Sequence, residues 1–277
     1  MHKYKTMHNI KRGLWFGFIA LWITAANSAL AAPEVRPIKF WDDSTPSSKL
    51  VPNHSAWQDI LDKYLIDEHP SGIHRFDYDN VSADDERKLL EYLRYLQQLD
   101  PRQLRKDRQK AYWLNLYNAT LVLYIVVREP VDSIRNLNRG PFWDAKRFNI
   151  ALQELSFNDI EHGILRPFFT DERIHFALCR ASLGSANLSA QAFTADNLEA
   201  QLDEAARNFV NHSRAVRVQG NEVVLSRMFK WNQDDFGSNN QEVKTYLKQY
   251  LPPEKGQQID RATRVRYQFN WSLNGPE

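Results

Sequence analysis

The fold is decided by one apolar stretch, residues 111–127, which reads AYWLNLYNATLVLYIVV. Its apolar side chains fall on nearly every face of a helix, and a helix of that kind is buried on all sides. We therefore predict a central core helix from Leu104 to Val127. Within it, Asn115 and Asn118 stand three residues apart and share a face, where buried amides need hydrogen-bond partners. They either bond neighbouring backbone or orient an active-site histidine.

Further helices are indicated outward from this core. Two capping boxes, in which a serine is followed three residues later by an aspartate, mark helix starts at Ser82 and Ser156. The second helix is short, because Pro167 is expected to end it. Amphipathic patterns predict two more helices, one capped by Ser55 and one over residues 195–211 that Thr194 opens.

Strand patterns are short and gather in the C-terminal half. Residues 216–225 alternate around Gly220-Asn221, which is typical of a hairpin with a two-residue turn. Residues 264–271 predict a third strand, and residues 74–81 predict a short strand earlier in the chain. Hairpin connections prevail over crossovers. The pattern predicts an α+β fold, a helix-rich single domain with a small antiparallel sheet in the C-terminal half.

Residues 1–31 have the features of a secretory signal peptide. Four basic residues precede an apolar run over residues 14–26, and Ala29-Leu30-Ala31 offers a cleavage site. The run is short for a transmembrane helix. We predict cleavage, no stable membrane insertion afterwards, and a periplasmic or secreted protein. An uncleaved N-terminal anchor is the alternative.

Removal of this segment changes the charge of the chain. It holds four basic and no acidic side chains, so the formal charge shifts from +2 to −2. A near-neutral chain without a basic block gives no electrostatic reason to bind nucleic acid, and we predict no nucleic-acid partner. The remainder divides into an extended lead-in rich in Pro and Ser, residues 32–54, and a single α+β domain, residues 55–277.

Groups able to do covalent chemistry gather in residues 157–185. We predict a catalytic arrangement of His175, Glu161 and Cys179, in which the imidazole lowers the pKa of the thiol and the carboxylate orients the imidazole. The alternative is a buried, slowly reacting cysteine, because the neighbours of Cys179 are apolar and unpaired thiols are commonly buried. Cys179 is the only cysteine, which excludes an intramolecular disulfide.

The same region supplies groups that could bind a ligand. The candidates are His162, Asn118, Arg166, Arg173, Arg180, Ser182 and Ser185. The arginines either form internal ion pairs or bind a ligand carboxylate through two hydrogen bonds. The adjacent pair Glu161-His162 diverges by about 100° on a helix, so it is a poor chelate and no metal site is predicted. Nucleotide-binding and hydrolase motifs do not occur, and no cofactor is predicted.

Several ordered motifs resemble a known family. They are YWLNLYN (112–118), SIR (133–135), IEHGILRP (160–167), RIHFAL (173–178), FKW (229–231), Asp235-Phe236 and WSLN (271–274). The series is similar to the family catalogued as domain of unknown function 547. The resemblance implies an exported bacterial protein, with a thiol-enzyme or glutathione-like ligand role.

The resemblance also shows where this chain departs from the family. In the family pattern the histidine matching His175 is followed by an Asn-Cys pair and then a Cys-Pro pair, where this chain has Cys179-Arg180 and Ser185-Ala186. We therefore expect an exported pocket protein that binds a small peptide-like or carboxylated, glutathione-like ligand. The alternative is a cysteine-dependent hydrolase or acyl transferase. The sequence leaves the oligomeric state open.

Overall fold

The computed structural model describes residues 34–128, 131–137 and 142–276, and the predicted signal segment lies outside them. The described residues belong to one compact unit. Helices prevail, which confirms the helix-rich α+β class. The helices are α1 (Ser55–Tyr64), α2 (Ala83–Gln98), α3 (Lys106–Val126), a π-helix (Asp159–Leu165), α4 (Arg166–Phe169), α5 (Ile174–Ala177), α6 (Leu198–Asn211), α7 (Arg227–Trp231), α8 (Gln233–Phe236), α9 (Asn240–Leu247) and α10 (Pro253–Arg261). The strands are β1 (Leu65–Ile66), β2 (Arg75–Phe76), β3 (Phe148–Ile150), β4 (Gln153–Leu155), β5 (Val216–Gln219), β6 (Glu222–Ser226) and β7 (Arg264–Gln268).

Helix α3 is the central core element, as its apolar pattern predicts. Trp113 on this helix is fully buried and packs edge-to-face on Trp41 of the lead-in, with ring centroids 5.2 Å apart. The Asn115 side-chain amide bonds both backbone polar groups of Phe193, since it donates to Phe193 O at 2.7 Å and accepts from Phe193 N at 3.0 Å. Asn115 therefore satisfies backbone and ties α3 to the loop that precedes α6.

The prediction that Pro167 ends its helix is wrong, and contacts with the lead-in explain why. The helical segment continues through α4 to Phe169, although Pro167 has no N–H to donate to Gly163 O, four residues earlier. Ile38 N donates to that carbonyl instead, at 2.9 Å, and Arg36 N donates to His162 O at 3.3 Å. A segment distant in sequence therefore supplies the hydrogen bond that proline removes.

The strands form three small sheets. β1 with β2 and β3 with β4 are antiparallel pairs, and β5 and β6 form the predicted hairpin. The predicted third strand, β7, pairs with β6 in parallel. The connection permits the parallel direction, because parallel strands need a long crossover and α7 to α10 separate β6 from β7.

Two predicted strands are shorter than their patterns indicated. Only β2 forms within residues 74–81, and there Phe76 N donates to Asn274 O. Strand β7 ends at Gln268. Beyond it the chain turns back, and Leu183 N and Gly184 N donate to the carbonyls of Ser272 and Asn270, both at 2.9 Å. The C-terminal tail therefore closes over the segment that follows α5.

Helix starts match the capping rules at some sites and not at others. Ser82 Oγ accepts from Asp85 N at 3.2 Å, which confirms that capping box. Ser55 is the first residue of α1 rather than its cap, and its backbone N–H donates to Asn53 Oδ1. The helix predicted from Thr194 begins at Leu198, since Thr194 and Asn197 exchange side-chain-to-backbone bonds one turn earlier.

No helix in the described part of the chain has both the length and the apolar content that a membrane span requires.

Candidate functional site

The polar residues of the 157–185 segment are positioned by two short helical elements that face each other. Glu161 and His162 lie on the π-helix, a form that occurs frequently at functional sites. Its start is fixed by Ser156 Oγ, which accepts from Asp159 N at 3.1 Å. His175 lies on α5. All three side chains are buried, so they lie inside the protein rather than on the wall of an open cleft.

Six side chains make one hydrogen-bonded group, which we call the Glu161 cluster: Glu161, His162, Arg166, His175, Arg180 and Asp235. Arg180 Nη2 lies 2.7 Å from both oxygens of Glu161. His175 stands between two carboxylates, with Nδ1 3.5 Å from Glu161 Oε1 and Nε2 2.6 Å from Asp235 Oδ2.

Arg166 completes the cluster on the side of Asp235. Its Nε and Nη2 donate to Asp235 Oδ2 and Oδ1 at 2.6 and 2.8 Å, which is the two-bond geometry that guanidinium and carboxylate favour. Its Nη1 lies 3.1 Å from His162 Nδ1. Because Arg166 can only donate, this contact assigns Nδ1 of His162 as an acceptor and Nε2 as the protonated nitrogen.

The pKa directions follow from this pairing. Burial alone would lower the pKa of His175, but hydrogen bonds to Asp235 and Glu161 raise it above its ordinary value. Burial alone would raise the pKa values of Glu161 and Asp235, but their cationic partners hold both below the ordinary range. Burial lowers the pKa of His162 to about 4, so that imidazole is neutral near pH 7. With His175 protonated, the cluster carries one positive charge in excess.

Cys179 lies outside this arrangement, contrary to the predicted His–Cys pairing. Helix α5 ends at Ala177 and Leu178 is extended, so His175 and Cys179 do not share a helical turn. Both ring nitrogens of His175 face carboxylates instead. The thiol is buried, as the alternative expected, and burial raises its pKa despite hydrogen bonds from Ala181 and Ser185 and the charge of Arg214.

Other predicted ligand-binding residues lie beside the cluster in supporting positions. Asn118 donates to Ala177 O at 2.8 Å and accepts from Cys179 N at 3.0 Å, so its amide is engaged by backbone. Ser185 Oγ accepts from Arg180 N at 2.7 Å. Ser182 Oγ is buried and has no hydrogen-bond partner among the described residues. These contacts fix the path of residues 177–185 around Arg180.

Arg173 is separated from the cluster by its own acidic partners. Its guanidinium bonds Asp171 at 2.9 Å, Glu199 at 2.5 Å and Asp203 at 2.6 Å. Two of these acids come from α6, which sequence spacing alone does not place near Arg173. The pairing raises the pKa of Arg173 and lowers that of Asp171 to about 2.

Asp235 is the cluster member that sequence reasoning did not select. Its acidic side chain balances Arg166 and completes the environment of His175, yet it lies 60 residues from His175. The only signal in the sequence was its place in the Asp235-Phe236 motif. Among the described residues no group of His, Cys, Asp and Glu side chains has an arrangement that could hold a metal ion.

The cluster reaches solvent through Arg180 and Asp235. The side chain of Arg180 is 19% exposed, and its guanidinium lies 5.2 Å from the ring centroid of Trp143. Only Nη2 of that guanidinium bonds Glu161. No protein group within the described ranges accepts a hydrogen bond from its Nε or Nη1. Arg180 therefore retains donors that no described protein group accepts, while it neutralises a buried carboxylate.

All cluster residues except Arg180 fall within the motifs that resemble a known family. Residues 101–210 match the family model described as Protein of unknown function, DUF547. The DUF547 segment contains α3, the π-helix and α5, and therefore five of the six cluster residues. Asp235 lies beyond it. The match supports the family resemblance. Comparison with curated proteins and with solved structures finds no match.

Proposed function

We propose that this protein binds a small carboxylated, peptide-like ligand of the glutathione type at Arg180 and does not transform it. One observation carries the proposal. Arg180 stands where the family pattern has a cysteine, and its Nη2 bonds both oxygens of buried Glu161 at 2.7 Å. A guanidinium in that place offers a ligand carboxylate further N–H donors but offers no nucleophile.

The charge of the cluster favours an anionic ligand. Two carboxylates are opposed by two guanidiniums and by His175, whose pKa is raised. A ligand carboxylate at Arg180 would balance the excess positive charge in partly desolvated surroundings, where such pairing is stronger than in water. Trp143 beside Arg180 provides an apolar surface for the rest of a small ligand.

The cysteine-dependent alternative receives less support from the same contacts. A thiolate nucleophile needs a lowered pKa and an adjacent base. Burial raises the pKa of the Cys179 thiol. The histidine of the predicted arrangement, His175, has both ring nitrogens directed at carboxylates.

Calorimetric titration with glutathione and a set of tripeptides tests the proposal. Arg180→Lys keeps the charge beside Glu161 but loses the planar donors, so we expect affinity to fall about tenfold. Arg173→Lys is the matched control, because Arg173 is 20% exposed and lies outside the cluster, and its affinity should be unchanged. Mass spectrometry should recover the ligand unmodified. A covalent adduct or product that disappears in Cys179→Ala would instead establish the thiol-enzyme alternative.

We further propose that the protein is exported to the periplasm or the medium. Support comes from the basic start, the apolar run and the Ala-x-Ala site within residues 1–31. N-terminal sequencing of the protein from its native host should give a first residue near Ala32. Recovery of chains that begin at Met1 from the membrane fraction would favour the uncleaved anchor.

A further inference from the structure

A separate cavity of about 290 Å³ is lined in part by Phe176 and Ala177 of α5. Its apolar walls are formed by Phe176 of α5 and Phe209 of α6, and its polar lining includes Arg214 and His74. It contains none of the six cluster residues. A concave site with apolar walls and a few convergent polar groups is the usual form of a small-molecule site.

Arg214 is the unusual group in this cavity. Its Nη2 donates to Asn187 Oδ1 at 2.7 Å, whereas its Nε and Nη1 are buried and have no hydrogen-bond partner in the described part of the chain. It forms no ion pair there either. Burial lowers its pKa to about 10, so it remains charged near pH 7. The cavity therefore contains a half-buried cation that forms no ion pair with a carboxylate of the described residues.

The same cavity is also lined by two acidic side chains, neither of which is paired with Arg214. Asp67 and Glu204 line it and are both exposed, and neither has an ion-pair partner among the described residues. Both act electrostatically on His74. The Nδ1 of His74 lies 2.7 Å from Leu188 O, a group that can only accept, so Nδ1 carries the proton and Nε2 is left as an acceptor.

We propose that this cavity is a second binding site, for a zwitterion of the size of an amino acid or dipeptide. The ligand carboxylate binds the Arg214 guanidinium, and the ligand ammonium binds at the mouth, between Asp67 and Glu204. A volume of about 290 Å³ lies at the lower end of ligand pockets, which limits the ligand to a small molecule. The inference is independent of the proposed function, because the two sites share no residue.

The test uses L-alanyl-L-alanine and two analogues that each lose one charge. N-acetyl-L-alanyl-L-alanine has no ammonium, and L-alanyl-L-alaninamide has no carboxylate. We expect each analogue to bind at least about tenfold more weakly than the dipeptide, because each leaves charged groups of the cavity unpaired. These titrations use the natural chain, so they do not depend on a variant that folds. Equal binding of all three compounds, or no binding of the dipeptide, overturns the inference.

Variants then assign the binding to this cavity. Glu204→Gln changes an exposed residue. It should lower the affinity for the dipeptide about tenfold and leave the affinity for the acetylated analogue unchanged. Arg214→Gln should abolish binding of both, and Arg217→Gln, which alters a neighbouring arginine outside the cavity, should change neither. Arg180→Lys should leave dipeptide binding intact. Loss of binding in Arg180→Lys but not in Arg214→Gln would place the dipeptide at the Glu161 cluster and contradict the inference.

Discussion

At the scale of single residues, His175 shows how pairing makes buried charge tolerable. Two carboxylates contact its ring, and each of them also bonds an arginine. A buried charge that loses its partner is strongly destabilising, although a complete pair contributes little net stability. The cluster is therefore sensitive to the removal of any one member, which makes substitution of His175 informative.

We expect His175→Gln to lower the free energy of unfolding by about 3–5 kcal/mol at pH 6. The pKa of His175 is raised in the folded state, so its stabilisation is fully present below pH 6.5 and is lost as pH rises through the raised value. The difference in the free energy of unfolding between the variant and the natural chain should therefore become smaller towards alkaline pH. Urea unfolding at several pH values measures it, with the more exposed His69→Gln as the control. A difference in the free energy of unfolding that does not depend on pH would contradict the raised pKa of His175.

Cys179 should react slowly. Because burial raises the pKa of its thiol, we expect alkylation by iodoacetamide at pH 7.5 to be at least about a hundredfold slower than that of a free thiol. Intact-mass analysis over time gives the rate, and unfolding in urea should restore ordinary reactivity. Fast labelling of the folded protein that depends on His175 would show that the two side chains meet.

At the scale of elements, the lead-in and the π-helix are joined by a close contact. A Cβ built on Gly163 would lie 2.8 Å from Ile38 Cδ1, closer than packed atoms approach. The absence of a side chain at Gly163 lets Ile38 N reach Gly163 O, the bond that stands in for the missing donor of Pro167. The orientation of Glu161 and His162 therefore depends on residues that precede α1.

We expect Gly163→Ala to lower the free energy of unfolding by about 1–3 kcal/mol, because the added methyl group overpacks the contact. Adding Ile38→Ala should relieve part of this cost, so the double variant should be less destabilised than the sum of the single ones. Gly256→Ala is the control. Its Cβ would meet only the flexible Lys248 side chain at 3.4 Å, within helix α10, and it should be neutral or stabilising by about 0.5–1 kcal/mol. Additive effects at Gly163 and Ile38 would disprove the contact.

At the scale of the whole molecule, buried neutral histidines set the response to acid. Burial lowers the pKa values of His54 and His162 to about 4 each. The unfolded chain binds these protons at the ordinary value of 6.5, so stability falls as pH decreases from 6.5 to 4. Each histidine accounts for a loss of about 3 kcal/mol, at about 1.4 kcal/mol for each unit of pKa.

We therefore expect stability to fall by several kcal/mol before the paired carboxylates are protonated. His54→Gln should reduce the slope between pH 6.5 and 4, because it removes one of the histidines whose pKa burial lowers, while His74, His162 and His212 remain. Thermal unfolding followed by circular dichroism across this range measures the slope. The same slope in His54→Gln and the natural chain would mean that other groups control acid stability.

Local physical chemistry was sufficient for the core helix, the Ser82 cap and the Gly220-Asn221 hairpin. An all-round apolar stretch has to be buried, and capping or turn geometry involves neighbours only a few residues apart. The same local reasoning brought Glu161, His162 and His175 into one short region. That this chain has Arg180 where the family pattern has a cysteine came from the family resemblance and not from local reasoning.

Only the tertiary structure decided which partner each charged group takes. Asp235 joins His175 across 60 residues, Asp203 joins Arg173 across 30, and Ile38 replaces the bond that Pro167 cannot make. It also leaves Arg214 without an ion pair to any acidic side chain among the described residues. The reason is physical, since the energy of an ion pair or hydrogen bond depends on distance and burial in space, and separation along the chain does not determine either one.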